Sequence, residues 1–229
     1  MAVALAEAGA DVAGLGVGSL ADTAAQVRAR GRRFLSINFN LLEAHAEDFA
    51  KVVAQVVAEL GGLDILVNNA GIIRRTPVLE FSEQDWDDVM QVNLKAVFLL
   101  SQAAARIMVG RGKGKIINIA SVLSFQGGIR VPAYTASKSG VAGITRLMAN
   151  ELAAKGLNVN AIAPGYMATD NTAPLRTDSE RAPAILSRIP AGRWGEPSDL
   201  MGAVVFLASP ASDYVNGTIL PVDGGWLTR

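Results

Sequence analysis

Three short apolar runs limit what this chain can fold into: LDILVNNAG at 63–71, GKIINIAS at 114–121 and LNVNAIAPG at 157–165. Each is continuous rather than alternating, and each ends in small or polar residues. Runs of this kind suit strands buried on both faces. Between them lie stretches with helical periodicity. Ser82 and Asp85 form a capping box that opens a helix to about Val109, and 133–155 reads as a second helix. Upstream, residues 2–8 read as a helix stopped by Gly9, 11–15 as a strand, 22–30 as a helix stopped by Gly31, 32–37 as a strand and 43–60 as an amphipathic helix. A helix at 198–208 and a short strand in GTILPVDGG complete the pattern. Alternating strands and helices predict an α/β fold: a doubly wound parallel sheet in a three-layer α/β/α arrangement. Ligands of such sheets sit beyond the carboxyl ends of the strands.

Composition narrows the function. At 229 residues and 50% hydrophobic, the chain suits a single α/β domain over 1–229. Lys+Arg and Asp+Glu both number 21, so net charge gives no reason to expect nucleic acid or an anionic membrane as partner. The absence of cysteine excludes disulfides, thiolate catalysis and Cys-ligated metals. The apolar N-terminus lacks a basic n-region, and Glu7 and Asp11 interrupt it, which argues against a signal peptide. No run approaches the roughly eighteen apolar residues of a membrane span, so a cytoplasmic protein is expected. The only histidine, His45, reads as a solvated residue of a charged helix, and no metal is expected. Five of the nine prolines fall in 164–197, which predicts a mobile substrate loop or a small helical excursion at about 166–195.

The strand ends gather the residues with chemistry. Asn69, Ala70 and Gly71 follow one strand, Ser121 ends the next, and Pro164 and Gly165 follow another. In SFQGGIRVPAYTASKSGV, residues 124–141, Tyr134 lies one helical turn before Lys138, on the same face and among small neighbours. Taken singly, the Tyr/Lys pair suits a solvated helix face and NNAG a turn. Together they share one rim of the sheet.

These residues resemble the short-chain dehydrogenase/reductase family across essentially the whole chain. The resemblance rests on NNAG at 68–71, Asn93 in VNLKAVF, Ser121, YTASK at 134–138 and PGYMAT at 164–169. It implies a Rossmann-type fold and an NAD(P)-dependent oxidoreductase that interconverts a secondary alcohol and a ketone. Asn93, Ser121, Tyr134 and Lys138 would be catalytic. Asn40, Asn69, Ala70, Gly71, Tyr134, Lys138, Pro164, Gly165, Met167 and Thr169 would meet the cofactor. A phenol near pKa 10 is a poor base at neutral pH, so the charge of Lys138 is expected to lower that of Tyr134. NAD is the favoured cofactor, with NADP left open, because GLGVGSL at 14–20 offers neither an acid for the ribose nor a cation for a 2′-phosphate. The family also implies a homotetramer assembled through the helices at 82–109 and 133–155.

Within the family, GIIRRTPVLEFSEQDWDDVM, ASVLSFQGGIRVPAYTASKSGV and RIPAGRWGEPSDLMG are most similar to sugar-acid dehydrogenases. That implies 2-deoxy-D-gluconate or 2-dehydro-3-deoxy-D-gluconate as substrate, with Arg74 and Arg130 as candidate carboxylate ligands. Arg75 follows directly after Arg74, and all three cations are expected at the mouth of the site, the alternative being solvated loop residues or pairs with Glu80 and Asp85. Gluconate, a 3-oxoacyl thioester on a carrier protein and a neutral polyol remain alternative substrates. One departure stands out: the family's opening strand and its TGxxxGxG turn have no counterpart here. Roughly twenty residues, a strand and the start of a helix, are missing relative to the family, and the strand would sit in mid-sheet. Three readings follow: an active dehydrogenase whose sequence starts late, a non-catalytic truncated paralogue acting as an interaction protein, or a chain that imports a strand or closes the gap.

Overall fold

A computed structural model describes residues 1–229. In chain order the elements are α1 (Ala2–Glu7), β1 (Val12–Gly16), α2 (Ala21–Arg28), β2 (Phe34–Asn38), α3 (Ala46–Leu60) and β3 (Ile65–Asn68). Then come α4 (Glu83–Met90), α5 (Ala96–Arg111), β4 (Gly114–Ile119), α6 (Pro132–Leu152) and β5 (Leu157–Pro164). The chain ends with α7 (Ala173–Arg176), α8 (Arg181–Leu186), α9 (Met201–Ala208) and β6 (Ile219–Val222).

All strand pairs are parallel, as the unbroken apolar runs require. β3, β4, β5 and β6 pair in that order, with Ile116 opposite both Leu66 and Val159. β1 and β2 form a separate pair, Val12 opposite Phe34. The sheet is therefore divided between β1 and β3, at the place where the family's first strand was expected to be lacking. Helices cover both faces and complete the Rossmann-type three-layer arrangement. Met108 of α5 and Met148 of α6 pack on Ile116, Leu157 and Val159. On the other face Val204 and Leu207 of α9, with Ala4 of α1, pack on Ile117 and Ile162.

A polar chain is buried within this apolar core. The Asn68 amide donates to Ser101 Oγ and Asn118 Oδ1, both at 2.8 Å, and the Asn118 amide donates to Thr145 Oγ1 at 2.9 Å. It ties β3 and β4 to α5 and α6, and each buried amide finds a partner, as burial demands.

The structure departs from the sequence reading in two places. The helix at 82–109 runs continuously over Glu83–Arg111 and, against the expectation from apolar runs, is long and apolar enough to cross a membrane. Here it packs on the sheet and on α3 and α6, and the five residues Gln91–Lys95 adopt a π-helical turn. His45 does not lie within a helix but at the N-cap of α3, where its backbone N–H donates to Asp48. The segment 166–195 takes the form of a small helical excursion: α7 and α8 lie in it, and Leu175, Ile185 and Ile189 bury against Val122 and Trp226.

Two glycines in the left-handed region separate strain from collision. Gly61 ends α3 at φ 87° with open space around a would-be Cβ, whereas a Cβ on Gly156 (φ 84°) would collide with the Gly112 carbonyl at the tight turn before β5. Gly61→Ala is expected to cost about 1–2 kcal/mol from backbone strain alone. Gly156→Ala should cost about 3 kcal/mol or more. Urea denaturation of both variants checks the difference.

Candidate active site

The site lies where β3, β4 and β5 end. β3 delivers the exposed turn Asn69–Gly71, β4 leads through Ala120 to Ser121, and β5 ends at Pro164 before Gly165. Pro132 at the first position of α6 suits the helix start, where the missing N–H costs nothing, and places Tyr134 and Lys138 in its first two turns.

Lys138 is 4% exposed. Its Nζ donates to the Ile119 carbonyl at 2.6 Å and lies 5.6 Å from the centroid of the Tyr134 ring. Asn93 is fully buried in the π-helical turn; its side chain accepts from Ile72 N–H and donates to Ile72 carbonyl, both at 2.8 Å. This bond pair fixes the chain leaving Gly71. A side chain at Gly71 would press on Asn93 Oδ1 at 3.3 Å and approach Lys138 Nζ at 3.7 Å. Gly165 is equally confined, since a Cβ there would meet Asp223 Cα at 2.6 Å.

The electrostatics correct the sequence reading. Burial holds the Tyr134 phenol above its ordinary value, and the groups that pull it down are the Ser121 hydroxyl and the Arg75 charge, not Lys138. The reason is geometric: the ammonium is directed at the Ile119 carbonyl and lies over the ring rather than at the phenol oxygen. Burial in turn pushes Lys138 down to about 8.

The arginines also sort differently. Arg74 is engaged by Asp85 at 3.2 Å and Asp88 at 3.7 Å, both on α4. Arg130 is exposed, sits at φ 64°, and contributes its backbone carbonyl to Thr76 N–H. Arg75 instead donates to the Asn171 carbonyl at 2.7 Å, across to the 166–195 segment, and its charge acts on both Tyr134 and Tyr166. Arg181 of α8 joins it there; burial and the Arg181 charge both lower the Arg75 pKa. Nothing in the RR doublet says which arginine turns inward; the acids at 85 and 88, one and two turns into the next helix, are the only hint.

The remaining candidates are dispersed along the rim. Asn40 accepts from Leu42 N–H in a local turn, so its side-chain oxygen is already engaged. Met167 is buried against α9, and its backbone pairs with Gly195. Thr169 N–H donates to the Met167 carbonyl. Ser124 escaped the sequence reading: its hydroxyl donates to the Lys138 carbonyl at 2.6 Å and anchors the catalytic helix.

A dinucleotide fits one end of this rim. Around Gly71 and Lys138 there is a close cradle in which a side chain would press on Asn93, with a buried cation at its floor. At the other end β1 leads into Val17–Leu20 and then α2, whose first turn carries Asp22.

Relatives agree with this geometry. A family profile described as enoyl-(acyl carrier protein) reductase matches residues 1–227. The 2-dehydro-3-deoxy-D-gluconate 5-dehydrogenases of Escherichia coli and Dickeya dadantii are 62% and 61% identical to the whole chain, which covers 90% of each. A solved Agrobacterium tumefaciens structure described as a 2-deoxy-D-gluconate 3-dehydrogenase with bound NADP superposes with a TM-score of 0.88 at 54% identity, covering all of this chain and 90% of that one. A gluconate 5-dehydrogenase from Burkholderia cenocepacia, in complex with NADP and tartrate, gives 0.94 at 40% identity, with coverage of 100% and 89%. The chain belongs to the short-chain dehydrogenase/reductase family. Ser121, Tyr134 and Lys138 lie at one rim of its sheet, with Asn93 buried beneath.

Lys138 gives the protein a pH dependence of known sign. Its folded pKa, about 8, lies below the ordinary 10.5, so between these values the unfolded chain binds more protons. Its contribution to stability is therefore least favourable below pH 8 and rises as pH increases through the window from about 8 to 10.5. Lys138→Met is expected to remove that rise. Urea midpoints of wild type and variant from pH 7.5 to 10 should converge as pH increases.

Proposed function

We propose that this chain is an NAD(P)-dependent oxidoreductase that interconverts a secondary alcohol and a ketone on a sugar acid, with 2-deoxy-D-gluconate or 2-dehydro-3-deoxy-D-gluconate as the substrate. The observation that carries the proposal is the convergence of Ser121, Tyr134 and the Arg75 guanidinium at one rim above buried Lys138. When bound, the nicotinamide supplies the hydride acceptor or donor.

The chain's own residues account for the rest of the chemistry. In the oxidation direction the Tyr134 phenolate takes the substrate hydroxyl proton; in reduction the phenol returns it. Ser121 donates to the reacting oxygen and holds it beside the phenol. Arg75 binds the carboxylate through its planar fork and lowers the Tyr134 pKa from the same position. Lys138 holds the ribose end of the cofactor, in line with the confined cradle at Gly71. Asn69, Ala70, Gly71, Pro164, Gly165, Met167 and Thr169 form the cofactor's edge of the rim, and Asn40 its adenine end. The 166–195 segment closes over the substrate, and the Arg75 bond to Asn171 is the latch between lid and rim.

The whole of 1–229 acts as one domain, in a cytoplasmic homotetramer. Ile107 on α5 and Leu147 on α6 leave 37% and 50% of their surface exposed, with Trp86 of α4 at 40%, which supports assembly through these helices. Gluconate is a second candidate substrate, supported by the 47% identity to the 5-keto-D-gluconate 5-reductase of E. coli.

Three substitutions test the reading. Tyr134→Phe should lower kcat by about two to four orders of magnitude, since a positioned acid/base contributes that much. Arg75→Ala should raise KM for the sugar acid by about tenfold or more and spare a carboxylate-free polyol. Arg74→Ala, held by acids, should leave KM within about twofold. Steady-state assays with sugar acids, a polyol and an acetoacetyl thioester measure all three. Preference for the thioester would overturn the substrate proposal and leave the role of Tyr134 standing.

A further inference from the structure

The substrate end of the rim holds more positive charge than the chain itself balances. Arg75, on the rim after β3, and Arg181, the first residue of α8 in the lid above it, are both half-buried. Neither guanidinium forms an ion pair, and that of Arg181 bonds no group of the protein. The acids of the 166–195 segment leave it alone. Asp178 is turned to the backbone, where its Oδ1 accepts from the N–H groups of Glu180 and Arg181 at 3.0 and 2.9 Å. Asp170 and Glu180 pair with no cation at all. Arg74 and Arg193, by contrast, are held by acids.

The geometry of α8 fixes where Arg181 faces. Ile185 lies one turn further on, so the two side chains share a helix face. Ile185 is buried against Val122 and Trp226, and Val122 follows Ser121 directly. The face that carries Arg181 is therefore the one turned to the site. Tyr166 reports the same placement. Its ring is fixed by Trp226 and Trp194, with centroids 4.6 and 5.7 Å away. Burial holds its phenol above the ordinary value, against the pull of Arg181, Arg188 and Arg75. Arg188 is engaged over the Trp226 ring, 4.0 Å from its centroid. Arg181 and Arg75 are left as two unpaired charges that reach the same phenol.

Half-buried like charges destabilise each other until an anion lies between them. A neutral ligand would leave that repulsion in place. A carboxylate relieves it, because its two oxygens offer about four lone-pair sites, room for a second guanidinium fork beside that of Arg75. Resting on the sugar-acid reading above, we propose that Arg181 is the lid's half of a two-arginine clamp on the substrate carboxylate, with Arg75 as the rim's half. The lid then closes on the charge of the substrate: the anion cancels the repulsion across the opening, and the bond from Arg75 to the Asn171 carbonyl holds the closed position. Selection of acids over polyols resides in closure as well as in the rim contact.

Steady-state assays of wild type, Arg181→Ala, Arg181→Lys and Arg75→Ala on 2-dehydro-3-deoxy-D-gluconate and on a carboxylate-free polyol test the clamp. Arg181→Ala should raise KM for the acid by about tenfold or more and leave that for the polyol within about twofold. Arg181→Lys should recover only part of the loss, since an ammonium lacks the fork. Two readouts are independent of turnover. Saturating sugar acid should slow amide exchange at Ile185 and Leu186 at least about fivefold in wild type and not in Arg181→Ala. Without ligand, the urea midpoint of Arg181→Ala should equal or exceed that of wild type, because a repulsion has been removed; a lower midpoint would mark Arg181 as structural and overturn the clamp. An equal rise of KM for acid and polyol would do the same. If Arg75→Ala raises KM for the acid and Arg181→Ala does not, the clamp fails and the sugar-acid reading stands. If neither change affects the acid, both fail.

Discussion

The ammonium of Lys138 sits in the interior on one strong bond, to the carbonyl of Ile119. A buried cation is costly unless its surroundings are fixed, and much of the local architecture fixes them. Ile119 is the last residue of β4, so the acceptor is positioned by the ladder to β5. Ser124 holds the Lys138 carbonyl, and Asn93 holds the loop that passes over the ammonium. Gly71 leaves the space that a methyl group would fill. The lowered pKa of Lys138 is the electrostatic trace of this confinement. Its charge is available to whatever occupies the cradle above it.

The acid/base pair is therefore not a simple couple. Two residues one turn apart suggested that the cation tunes the phenol directly. In the folded chain the ammonium turns toward the strand end, and the phenol stays above its ordinary pKa because burial outweighs Ser121 and Arg75. A ligand that brings hydroxyls between Tyr134 and Lys138 changes that balance, since it bonds both. The protein supplies the opposing groups, and the bound molecules complete the tuning.

Sequence patterning revealed the sheet because each buried strand must be apolar along its whole length, and the turns after β3, β4 and β5 needed small or polar residues. It also revealed the rim, because the strand ends lie side by side in any parallel sheet. It could not distinguish Arg74 from Arg75. That choice depends on α4, which offers Asp85 and Asp88 to one and leaves the other facing the lid. Patterning allowed a small helical excursion in the proline-rich 166–195 segment but not the position of its two short helices, which bury against Trp226 and Val122, distant in sequence. Local propensity is weak in such segments, and burial against the C-terminal turn decides the outcome.

The divided sheet shows how local and global order separate in this fold. β1 and β2 are held by α2 and α3 through Val27, Phe34, Ile37, Val52 and Val56, while the four-stranded sheet has its own core on α5, α6 and α9. Contact between the two units comes from helices: α3 packs on α5, and α1 packs on α9. The alignment of the rim across the gap is therefore set by side-chain packing, which tolerates small shifts more readily than a hydrogen-bonded ladder. Ser121, Tyr134, Lys138 and Arg75 all belong to the larger unit, so their mutual geometry does not depend on that alignment. Asn40, which follows β2, belongs to the smaller one. A ligand spanning both units would meet Ser121, Tyr134 and Lys138 on the larger and Asn40 on the smaller.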